Sequence, residues 1–137
     1  MPNIVVEYTA NIRAEADIPG LLKTISRTIQ EAGNGTFAVA AVRVRAAEFQ
    51  DYVIGDDDPD YAFVLINARV AKGREEEDKR RTFDAVWKAV QAHLAPVSAK
   101  RMLAISMDVE EFGDRLAYKD NPLHARFGTK PIAKTAN

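Results

Sequence analysis

The chain has 137 residues and a mass of 15.2 kDa, enough for one domain with its own core. Hydrophobic residues at 47% and charged residues at 28% exclude a disordered or collagen-like chain, and a net charge of -1 supplies no positive field for nucleic acid or an anionic membrane. The absence of cysteine rules out disulfides, thiolate catalysis and Cys-ligated zinc, and two histidines are too few for a His-rich metal site.

No apolar run approaches the roughly 20 residues of a membrane span, and the N-terminus lacks the basic and apolar regions of a secretory signal. The expectation is a cytoplasmic protein with no membrane or nucleic-acid partner. Asn3 to Tyr8 (NIVVEY) is rich in β-branched residues and predicts a strand. Asn11 to Asp17 reads as a polar connection. A helix follows over LLKTISRTIQEAG, with Leu22, Ile25 and Ile29 at helical spacing and Leu21 and Thr28 flanking that face. Asp17 is its expected N-cap, Pro19 lies in its first turn, and Gly33 and Gly35 stop it. Phe37 to Phe49 predicts a long strand in which Arg43 and Arg45 point one way and Val42 and Val44 the other.

The acidic run GDDDPD within Gln50 to Asp60 marks an exposed loop, after which the pattern restarts. Tyr61 to Val70 predicts a strand and Lys72-Gly73-Arg74 a turn. Glu75 to about Ala95 predicts a helix with Phe83, Val86 and Val90 on one face, ended or kinked by Pro96. The run Arg74 to Arg81 (REEEDKRR) reads as an exposed helix surface. Arg101 to Val109 predicts a fourth strand, and Gly128 to Asn137 a flexible C-terminal tail.

A shift of sixty-one positions lays Arg13 to Asp17 on Arg74 to Asp78, and Leu22, Ile25 and Ile29 on Phe83, Val86 and Val90. The physical reading is a duplicated βαβ unit, with halves of about 1–50 and 60–112. The expected fold is α/β (α+β), a mixed four-stranded sheet with both helices on one face. One chain offers nothing to cover the second face, so a symmetric homo-oligomer is expected.

Candidate chemistry begins at Pro2. Removal of Met1 would leave a secondary amine as the N-terminus, and an α-amino group that titrates near pH ~8 becomes a general base when burial or nearby cations lower it. The structural alternative is a proline that merely starts a strand, where its missing N–H does no harm. Arg13 and Arg74 each lie after a strand and before a helix, and Arg43 and Arg45 share a strand face. Arginine binds carboxylates with two prongs, so such a set suits a small anion with several carboxylates. Arg13 and Arg74 also lie beside Glu15 and Glu76, which offer surface ion pairs instead. Glu7, Glu110, Glu111 and His124 are secondary candidates. No phosphate loop, dinucleotide fingerprint or nucleophile elbow is present.

The start MPNIVVEYTANIRAEADIPGL resembles that of the 5-carboxymethyl-2-hydroxymuconate isomerases, members of the tautomerase superfamily. The likeness continues at VAAVRVR, DYAFV, the GRE turn, MLAISMDVEEF and YKDNPLHARF, so it covers residues 1–127 as a single domain. Lengths depart from the family around Asn34 to Thr36 and Gly55 to Asp60, and the tail after Phe127 is additional. The resemblance implies a trimer with sheets lining its centre and the Pro2 amine as acid/base catalyst. It implies substrate-binding arginines at Arg43 and Arg74, with Arg45 as the other reading of the strand arginine. It implies isomerisation of a small polycarboxylate dienol to its conjugated 2-oxo form in homoprotocatechuate breakdown, with neither cofactor nor metal. Other tautomerase-type activity on an enol or haloacrylate, and a non-enzymatic trimeric binding module, remain alternatives at this point.

Overall fold

The computed structural model describes residues 2–127. The expected C-terminal tail, 128–137, lies outside the described residues.

Strand β1 (Asn3–Thr9) leads through a 3-10 turn (Ala10–Ile12) and one turn of helix, α1 (Arg13–Ala16), into helix α2 (Ile18–Gly33). The expected polar connection over Asn11 to Asp17 is therefore mostly helical turns. Its Ile12 and Ala16 are buried, so packing against the core draws this stretch into shape. Asp17 caps α2 as its sequence predicts: it sits at φ 44°, and its side chain accepts from the Gly20 N–H at 3.2 Å. Leu21, Ile25 and Ile29 are fully buried on α2, each contributing on the order of 1.5–3 kcal/mol of burial. Leu22, expected on the central stripe, lies at its partly buried edge.

Strand β2 (Arg43–Phe49) begins six residues later than Phe37, where its sequence pattern starts. Phe37 is buried, with its ring packed edge-on against Phe83 at 5.9 Å. It anchors the chain below the sheet, and a 3-10 turn (Val39–Ala41) then lifts it to the level where pairing with β1 can start. Strand β3 (Tyr61–Ala71) follows the acidic loop, then helix α3 (Glu76–Ser98), strand β4 (Met102–Phe112) and a short helix α4 (Leu123–Arg126). Helix α3 passes through Pro96 and ends two residues beyond it. Val97 beside it is buried in the core, so packing carries the helix past the N–H that Pro96 lacks. Strand β4 also runs three residues past its expected end, to Phe112, paired with Ala71. The run Arg74 to Arg81, which runs into the start of α3, is not wholly exposed: Asp78 is buried and bonded to Arg81 at 2.6 Å.

The sheet order is β2-β1-β3-β4. Strands β1 and β2 are parallel, β3 and β4 are parallel, and the central pair β1 and β3 is antiparallel. This is the mixed four-stranded sheet of a doubled βαβ unit. Alternation decides which face is covered. Ile4, Val6 and Tyr8 of β1 and Ala62, Val64, Ile66, Ala68 and Val70 of β3 are buried beneath α2 and α3. Their neighbours Val5, Glu7, Phe63, Leu65 and Asn67 lie on the opposite face, which no element of the described chain covers, and each is only partly buried. No described helix is long and apolar enough to cross a membrane.

Candidate active site

Strand direction places the candidate residues. Pro2 directly precedes β1, a central strand, and is buried. Its carbonyl accepts from the Arg43 N–H at 3.1 Å, which fixes the start of β2 beside it. Strand β3 runs the other way, so its C-terminal end comes to the same end of the sheet: Arg69 pairs with Asn3. The chain leaves β3 at Ala71 and turns through Gly73, whose φ of 108° is a conformation that side chains disfavour, to reach Arg74. Pro2, Arg43 and Arg74, far apart in sequence, thus share one end of the sheet.

Arg74 is the most informative of them. Its Nε donates to the Thr36 carbonyl and its Nη1 to the Ala71 carbonyl, both at 3.1 Å, and its guanidinium lies 4.7 Å from the centre of the Phe37 ring. Burial pulls its pKa below the ordinary arginine value. No carboxylate stands within ion-pair distance of it among the described residues. The expected alternative partner, Glu76, is taken by Lys79 at 2.7 Å and Arg80 at 3.5 Å. A half-buried cation held by neutral carbonyls and a ring, with most of its five N–H groups to spare, is poised for an anion.

Arg43 is half-buried on the uncovered face, and its Nη1 lies 3.4 Å from the Ala41 carbonyl. It borders a cavity of about 360 Å³ whose other walls are residues 115–121. Arg45 lies on the same face one step further from Pro2, pairs with Val5 and donates to Asn3 Oδ1 at 3.3 Å. The register therefore sets Arg43, rather than Arg45, beside the N-terminal proline.

Arg13 goes elsewhere. Because β1 and β3 are antiparallel, its turn lies at the opposite end of the sheet from Arg74. There it pairs with Glu48, which also accepts from the Tyr8 hydroxyl at 2.9 Å. The Arg13 contact, then that of Tyr8, holds the Glu48 carboxyl below the usual carboxylate range. Glu15 pairs with Arg101 at 3.0 Å instead of with Arg13. Glu111 is bonded to Lys79 at 2.5 Å, and Glu110 lies 3.9 Å from Arg69. Glu7 faces the uncovered side away from the Pro2 end, and His124 is exposed on α4. No described cluster of three acidic, histidine or cysteine side chains is placed to hold a metal.

The segment after β4 carries part of the family resemblance and the candidate His124, but its sequence assigns no chemistry to residues 113–121. It leaves Phe112 at one edge of the sheet and reaches the other, where Asn121 Nδ2 donates to the Ala40 carbonyl at 3.0 Å. The Asn121-Pro122 turn was a visible signal, but nothing local says which part of the chain it docks on. A larger groove of about 440 Å³, lined by Phe83, Trp87 and Met107, lies between α3 and β4 and includes none of Pro2, Arg43 or Arg74.

Comparison with known proteins gives the family and the fold. The sequence model of the 5-carboxymethyl-2-hydroxymuconate isomerase family matches residues 2–127. The chain is 33% identical over 127 residues to the 5-carboxymethyl-2-hydroxymuconate Delta-isomerase of Escherichia coli, covering 93% of this chain and 99% of that protein. Its fold is similar to the crystal structure of a 5-carboxymethyl-2-hydroxymuconate isomerase from Deinococcus radiodurans R1, with a TM-score of 0.86, 32% identity, and coverage of 93% and 95% of the two chains. It is also similar in fold, with a TM-score of 0.57, 23% identity and coverage of 89% and 97%, to a fused 4-OT symmetric trimer.

Proposed function

The chain belongs to the 5-carboxymethyl-2-hydroxymuconate isomerase family, and from that premise we propose that it isomerises 5-carboxymethyl-2-hydroxymuconate through the amine of Pro2 once Met1 is removed. The observation that carries the reading is the half-buried Arg74 guanidinium, without a carboxylate partner among the described residues, at the same end of the sheet as Pro2.

The substrate is a dienol with three carboxylates. The neutral Pro2 amine takes the proton of the 2-hydroxyl, leaving a dienolate. The electrons shift along the conjugated chain, the oxygen becomes a ketone, and a proton is delivered at carbon five. Atoms and charge balance without oxidation, so the chemistry itself calls for no redox cofactor. Arg43 and Arg74 bind carboxylates and stabilise the negative charge that develops on the oxygen. Positive charge at the site and the burial of Pro2 both favour the neutral amine, the form that acts as base at physiological pH. The reaction places the protein in homoprotocatechuate breakdown, in the cytoplasm. The uncovered sheet face and the trimeric assembly named for a protein of similar fold support a homotrimer.

The test is the ultraviolet assay of ketonisation, with the N-terminus verified by mass. Protein with a free Pro2 accelerates the reaction, and Pro2→Ala lowers turnover roughly 100-fold or more while the fold persists. Equal turnover by the variant removes Pro2 from the mechanism. No turnover by intact protein with a free Pro2 removes the substrate.

A further inference from the structure

Two arginines leave one carboxylate of a tricarboxylate unanswered. We infer that the segment joining β4 to α4 forms the subsite for that third carboxylate, with Arg115 and Lys119 as its cations. This inference rests on the proposed reaction for the identity of the substrate.

The path of the chain supports it. Strands β2 and β4 are the two edges of the sheet, separated by two central strands and so by about 14 Å. Residues 113–120 can span up to about 26 Å. They start at Phe112 on one edge and end at Asn121, which is bonded to Ala40 just before β2 on the other. Residues 113–120 therefore cross the end of the sheet at which Pro2 begins β1 and Arg74 follows β3. Their near end is tied down as well, since the Lys72 N–H donates to the Phe112 carbonyl at 3.1 Å.

The crossing segment as a whole is balanced, Arg115 and Lys119 against Asp114 and Asp120, but Asp114 is not in the cavity wall, which is therefore positive. The cavity of about 360 Å³ between it and β2 brings Arg43, Arg115 and Lys119 together against one carboxylate, Asp120. Arg115 has no ion pair among the described residues; its guanidinium stacks 3.9 Å from the centre of the Phe112 ring. That stacking orients the planar group while leaving its N–H edge available for a carboxylate. Arg69 approaches the same ring at 5.4 Å, with Glu110 3.9 Å from its guanidinium. A cavity of this size has ample room for a carboxymethyl arm, and Arg43 stands in its wall.

The experiment compares two substrates and one inert probe. Ketonisation of 5-carboxymethyl-2-hydroxymuconate is measured against that of 2-hydroxymuconate, which lacks the carboxymethyl arm. The double variant Arg115→Gln, Lys119→Gln lowers the ratio of the two kcat/KM values roughly 10-fold or more, through KM for the tricarboxylate. The double variant Lys23→Gln, Lys88→Gln, an equal loss of charge on the helices, leaves the ratio where it was. Binding of tricarballylate by calorimetry is read on the same proteins and does not depend on turnover. It weakens by a similar factor in Arg115→Gln, Lys119→Gln and not in Lys23→Gln, Lys88→Gln. An unchanged ratio, an unchanged tricarballylate affinity, or no tricarballylate binding by the intact protein overturns the subsite. Loss of the proposed reaction itself shows separately, as an intact protein that binds the probe but turns over neither substrate.

Discussion

Arg13 and Arg74 hold the same place in the two halves of the sequence, and local pattern does not separate them. Geometry does. Arg13 is neutralised by Glu48, thirty-five positions away, while Arg74 is held by backbone carbonyls and the Phe37 ring. Arg74→Ala is therefore expected to raise KM for the tricarboxylate by roughly 10-fold or more, with a smaller effect on kcat. Arg13→Ala changes either constant by less than about twofold, because it removes an exposed ion pair at the far end of the sheet. Steady-state kinetics on the two variants checks both, and equal effects would mean that the repeat, not the end of the sheet, governs binding. The sequence named the residue types and their approximate positions. It did not reveal which copy was free, since that depends on partners brought in by folding: Glu48 for one arginine, Thr36 and Ala71 for the other.

At the scale of elements, local chemistry explains what was legible. The start of α2 could be read from Asp17 and Pro19 because a cap acts within three residues. Asp17 also stands at φ 44°, where a Cβ is strained, so its replacements differ in an informative way. Asp17→Ala loses the bond to the Gly20 N–H and keeps the strain, and is expected to destabilise by about 1–2 kcal/mol. Asp17→Gly loses the same bond but relieves the strain, and costs only about a few tenths of a kcal/mol. Urea midpoints at one fixed protomer concentration separate the two; equal midpoints for the two variants would dismiss the strain, and an Ala midpoint equal to that of the intact protein would dismiss the cap. The start of β2 was not legible for the opposite reason. FAVAAV has the composition of a strand, but Phe37 is claimed by Phe83 from the other half of the chain, and pairing waits until Arg43. The segment that crosses the sheet end was equally hidden. Its docking point, Ala40, lies eighty-one positions before Asn121.

The whole molecule poses a problem of coverage. Two helices cover one face of the sheet and no described helix or strand lies over the other, a shortfall already visible in a sequence with only two helical stretches. On that face Val5, Phe63 and Leu65 lie on the two central strands with Glu7 and Asn67 between them, and Arg45, Arg69, Asp108 and Glu110 lie around them. An apolar centre with a charged margin is the pattern of a surface that meets its own copies. Closed symmetry would turn the three sheets inward, and each copy would shield the Pro2 end of another from water. Leu65 lies between Glu7 on β1 and Ser106 on β4, so a charge placed there would stand in the middle of the buried face. Leu65→Glu is expected to leave the helix-side core of each protomer untouched, because Leu65 is not part of it, and to release the chains from one another. Sedimentation would then show the intact protein at three times the 15.2 kDa chain mass and the variant at the chain mass itself. A variant that still sediments as a trimer would place the contact between copies elsewhere. A variant that comes apart and also loses turnover would tie the reaction to assembly, since Leu65 lies away from Pro2, Arg43 and Arg74 and its loss could reach them only through the neighbouring copies.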